Sequence, residues 1–68
     1  MNSGNKQIEA NNLKVISDQL NYEALMNKKF SLYGQYCTDQ QLKDLCNQSA
    51  GIHKQNFNEL KTYLESHQ

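Results

Sequence analysis

Glu23 and His53 are the two side chains in this 68-residue chain best placed to do chemistry together. A carboxylate facing an imidazole makes an ion pair, or supplies two ligands of a metal ion. Each sits within a stripe of helical spacing. The first stripe is Leu13, Ile16, Leu20, Glu23, Asn27, Phe30, Gly34 and Cys37. The second is Leu42, Cys46, Ser49, His53, Asn56, Leu60, Tyr63 and His67. Both advance by threes and fours, the spacing of one helix face packed on a neighbour. If the chain reverses near residue 38, positions whose numbers sum to about 77 come level, and Glu23 arrives beside His53.

Around that pair, Asn27, Ser49 and Asn56 complete a polar layer on the facing positions. Two readings follow. In the first, the layer is a hydrogen-bonded set that fixes register and pairing direction, as single polar core residues do in coiled coils. In the second, Glu23 and His53 from two chains bring two carboxylates and two imidazoles to one axis, enough for one Zn or Fe ion per dimer. The first needs no cofactor. Catalysis by a Cys–His pair is unsupported, because Cys46 and His53 are two turns apart, about 10 Å along a helix axis. The chain reads as a non-enzyme.

The elements that position these residues have their own local signals. Residues 1–12 read as a polar tail or an extra turn: Met1 to Gln7 are polar, with Gly4 and no apolar pattern. Ile8 to Asn12 either add a helical turn or place a cap at Asn11-Asn12. The hairpin itself spans residues 13–66, with helix one over about 13–36 and helix two over 39–65. Thr38 with Gln41 three residues later reads as a capping box, so helix two is expected to begin at Asp39. Gly34 lies on the facing side near the turn, where a missing side chain permits close approach, or is simply tolerated. Gly51 either bends helix two or is tolerated within it.

Composition narrows the function classes. Seven lysines balance seven acidic residues, with no Arg, so neither a basic face nor the usual bidentate phosphate reader is present and nucleic acid is not an expected partner. No apolar run is long enough to span a membrane and no signal-like segment opens the sequence, so synthesis in the cytoplasm is expected. Asn and Gln form a quarter of the chain but are broken by apolar residues at helical spacing, which marks them as helix surface. Cys37 and Cys46 are expected as free thiols. In a hairpin turning at residue 38 they stand about 9 Å apart along the axis, beyond the reach of a bridge.

Two helices sharing one seam bury too little apolar area to offset the entropy of ordering both. Ala24, Met26, Tyr33, Leu45, Ile52, Phe57 and Leu64 widen the apolar faces beyond a single stripe. The expected fold is therefore all-α: an antiparallel two-helix hairpin that dimerises into a ferritin-like four-helix bundle. Its dimer core is drawn from Leu20, Phe30, Leu45, Ile52, Phe57 and Leu60. A helical adaptor accepting partner helices is an alternative use of the same face.

Four segments carry a family likeness: Ile16 to Glu23, Lys28 to Tyr33, Cys37 to Leu45 and Ile52 to Leu60. Over roughly residues 13–64 the chain resembles the small ferritin-like proteins of spore-forming bacteria, the spore coat F family and its short relatives. In ferritin-like di-iron proteins each helix pair carries a Glu on its first helix and Glu-x-x-His on its second. Glu23 and His53 match two of these positions, while Ala50 replaces the second Glu. The resemblance thus implies a retained scaffold with a structural role in the spore or its coat, with other coat proteins as partners, rather than di-iron oxidase chemistry.

Overall fold

A computed structural model describes residues 8–67, which form two antiparallel helices, α1 (Ala10–Tyr36) and α2 (Gln40–Glu65), joined by Cys37, Thr38 and Asp39. The all-α hairpin is as expected. Met1 to Gln7, read from sequence as a polar tail, lie outside the described residues.

Each helix starts near its expected residue but on a different cap. Helix α1 begins three residues before Leu13, because the Glu9 side chain caps it, accepting from the backbone N–H groups of Asn11 and Asn12. The extra turn is therefore formed, and Asn11-Asn12 are inside the helix rather than its cap. At α2 the cap is Asp39, not Thr38: its Oδ1 accepts the Leu42 N–H at 2.8 Å, and the helix starts at Gln40. Asp39 is extended (φ −77°, ψ 124°), as a capping residue is. An aspartate there satisfies an orphan donor and also places negative charge at the positive end of the helix dipole. Helix α2 continues unbroken through Gly51.

The molecule measures 53 × 16 × 11 Å, a single layer one helix thick. Along its seam Ile16, Cys46 and Ala50 are the buried apolar residues among those described, and Glu23 is buried with them. Leu20, Phe30, Phe57 and Leu60 are half-buried at the seam margins. Gly34 marks a close approach near the turn: a Cβ there would lie 2.5 Å from Asn47 Oδ1. Sequence spacing placed Ser49 rather than Ala50 on the facing stripe. The helices are rotated so that the small Ala50 sits innermost, where its size lets α1 come close.

The capping assignment has a direct test. Asp39→Ala is expected to lower unfolding stability by about 1 kcal/mol, while Thr38→Ala changes it by no more than about 0.5 kcal/mol, as an exposed substitution away from a cap. Urea titration followed by far-ultraviolet circular dichroism distinguishes the two.

Candidate functional site

The Glu23 carboxylate is the centre of the seam's polar cluster. Helix α1 presents it on the same face as Ile16, two turns away, and α2 brings His53 and Asn56 to the same height. His53 Nδ1 lies 2.5 Å from Glu23 Oε1. Asn56 Nδ2 donates to the same oxygen at a longer 3.4 Å, and Gln19 Nε2, one turn before Glu23, donates to Oε2 at 2.7 Å. Both carboxylate oxygens are thus occupied. Hydrogen bonds from His53 first and Gln19 next hold the Glu23 carboxyl below its ordinary range. Desolvation opposes them, and the Asn56 hydrogen bond and the charge of His53 add smaller contributions in the same lowering direction. With Glu23 ionised, Nδ1–H is the donor of the short contact, leaving Nε2 as the free ring nitrogen.

Aromatic rings hold the imidazole in place. Phe30 stacks on His53 with centroids 5.7 Å apart and planes 5° from parallel, and Tyr22 meets it edge-on at 5.9 Å. Both rings come from α1, on one side of the seam. The cluster opens to that same broad side through a depression lined by Gln19, Glu23, Asn56, Glu59, Leu60 and Tyr63.

The structure therefore brings together Glu23, His53 and Asn56 of the expected polar layer. Asn27 belongs to the seam but not to the cluster: its Nδ2 donates to the Ala50 carbonyl at 2.9 Å, tying α1 to the α2 backbone. Ser49 stands apart, half-buried and one turn nearer the hairpin turn than His53, about 6 Å along the axis. Gln19 went unrecognised in the sequence. Its signal was the i,i+4 spacing to Glu23, a standard amide–carboxylate pairing on one helix face.

Cys37, Cys46 and His67 take no part in the cluster. Cys37, half-buried, and Cys46, buried on the seam, are free thiols. Burial first, and the neighbouring Cys37 second, push the Cys46 thiol up. His67 stacks on Tyr63 with centroids 3.9 Å apart. Of the expected dimer core, Leu45 and Ile52 are exposed.

A two-metal centre does not fit these residues. Position 50, where a bridging carboxylate would stand, is a buried Ala whose carbonyl is engaged by Asn27. Among the described residues, no group of three or more His, Cys, Asp or Glu side chains is gathered for a metal ion. No described helix is long and apolar enough to cross a membrane. Compared with protein-family models, curated proteins and solved structures, the chain matches none.

The cluster makes stability pH-dependent. Because the folded-state pKa of Glu23 is lowered, its contribution is complete above the unfolded carboxylate pKa and is lost as pH falls through the folded value. The thermal midpoint of the wild type should therefore decline on acidification below the ordinary carboxylate range. Glu23→Gln should start lower at neutral pH and decline less steeply. Parallel declines in a circular-dichroism melt series would remove Glu23 from that role.

Proposed function

We propose that this chain is a small non-catalytic structural protein that self-associates, two hairpins packing into an antiparallel four-helix bundle. The carrying observation is the broad side of the hairpin on which Tyr22 meets His53. Val15, Tyr22 and Tyr33 on α1 are exposed there, spaced by seven and eleven residues. Leu45, Ile52 and Tyr63 on α2 are exposed with the same spacing. A shallow depression lined by Val15, Ile16, Leu60 and Tyr63 puts both rows on one side. The reverse side is more polar, with Lys28, Ser31, Lys54 and Asn58 around the edges of Asn27 and Phe57.

Apolar rows of this width on a monomer mark an interaction surface, and a seam with so few buried apolar residues supplies little stability by itself. A second copy laid on this side would cover both rows and close water off from the Glu23 cluster. The cluster's role is then to set register, because a slipped neighbour would leave its polar groups unpartnered. An association with the spore or its coat, and with other coat proteins, is carried by the sequence resemblance alone.

Multi-angle light scattering across a range of concentrations tests the pairing. A species of twice the chain mass is expected, and Ile52→Lys should weaken association at least about tenfold by placing a charge in the interface. A folded monomer at every concentration would sink the self-association and assign the face to helices of another protein, as an adaptor.

One observation favours a second reading. With Nδ1 of His53 held by a carboxylate, Nε2 is oriented as a metal-ligating imidazole commonly is. Two such histidines across a dimer would share one Zn or Fe ion. Metal analysis of protein purified without a histidine tag decides: stoichiometric metal that disappears in both Glu23→Ala and His53→Ala replaces the structural reading with this one.

A further inference from the structure

Lysines collect on the polar side of the hairpin, opposite the exposed apolar rows. A depression there is flanked by Lys28 and Ser31 of α1 and by Lys54 and Asn58 of α2, over a floor of Ala24 and Phe57. Lys43 and Lys61 lie eleven residues before and seven after Lys54, spacings that return to the same helix face. Along α2 these lysines extend over about 27 Å, at about 1.5 Å per residue. Lys28, Lys54 and Lys61 are exposed and Lys43 is half-buried.

The acidic residues of the helices are turned elsewhere. Asp18 pairs with Lys14 at 3.0 Å, and Glu23 is buried in the seam. Asp44 and Glu59 sit farther round α2, each accepting an amide from the glutamine one turn before it, Gln40 and Gln55. Of the acids on α2, spacing puts only Glu65 on the lysine side, one turn past Lys61. Among the described residues the ion pairs are Lys14 with Asp18 and His53 with Glu23, so none of these four lysines is engaged. A chain of zero net charge thus presents one positive side.

We propose that this side docks an acidic helix of another protein, with carboxylates spaced by seven and eleven residues to meet Lys61, Lys54 and Lys43. Two helices side by side leave a groove that takes a third helix, and Ala24 with the half-buried Phe57 supplies its apolar contact. One exposed ion pair contributes little, so recognition depends on several held in register rather than on a lone anion. Nucleic acid fits less well. Duplex DNA carries one charge per about 1.7 Å, far denser than these lysines, and the chain has no Arg to grip phosphate in a fork. The docking side is opposite the apolar rows, so it stays open whether or not two hairpins pair.

The test titrates the isotope-labelled full chain with two synthetic peptides of one composition and follows amide chemical shifts at low ionic strength. One peptide carries glutamates at the matching spacing on a single helix face; the other scrambles them. The matched peptide should bind at least about tenfold tighter. Its shifts should centre on Lys28, Lys54 and Phe57, and added salt should weaken it. Lys54→Glu should cost at least about tenfold in affinity. Lys28→Glu, on the other helix, gives the same reading should the first variant fold poorly. Equal affinity for the two peptides, tighter binding of an oligothymidylate, or shifts centred on Tyr22 and Ile52 would overturn the proposal.

Discussion

A single carboxylate set into the narrow seam between two helices fixes how this hairpin is aligned. Glu23 is as thoroughly shielded from solvent as Ala50, yet it is charged. A buried charge persists only where its oxygens are answered. Gln19 answers from the same helix, and His53 and Asn56 from the other. Sliding α2 along α1 by one residue would pull the imidazole about 1.5 Å out of position. It would also disturb the Phe30 stack and the bond from Asn27 to the Ala50 carbonyl, since these groups share a level. The cost of misalignment is concentrated in one layer, which is how a short polar interruption specifies register in an otherwise permissive apolar contact.

The same layer explains why the apolar contribution is so modest. Small or polar residues (Gly34, Ala50, Asn27) occupy places where a large aliphatic side chain would bury more area. Close approach has been favoured over bulk. Larger side chains are displaced to the margins, where Val15, Tyr22, Leu45 and Ile52 are left substantially exposed. A sheet of matter 11 Å thick has no interior beyond the contact line itself.

Much of the arrangement was legible in the order of residues. Spacing by threes and fours located both helices and placed the reversal near Thr38, and the level of Glu23 with His53 followed from counting outward from it. Counting failed near the turn. A uniform register ignores the rotation of each helix: it levels Gly34 with Lys43, whereas Asn47 is the neighbour that Gly34 admits. Cap positions failed for another reason: Thr38 and Asp39 are both competent, and only backbone geometry decides which faces the first turn. Glu9 was passed over because carboxylates with longer stems are less usual caps. Ala50 was undervalued because it was read as a missing ligand rather than as the place of nearest contact.

The three-residue connection carries one more consequence. By doubling the chain back on itself it leaves Ile8 and His67 at one pole of a rod 53 Å long, with Cys37, Thr38 and Asp39 at the other. A label attached at Ile8 or His67 would therefore crowd the same pole, leaving the turn unencumbered. The molecule is a handle with one free tip.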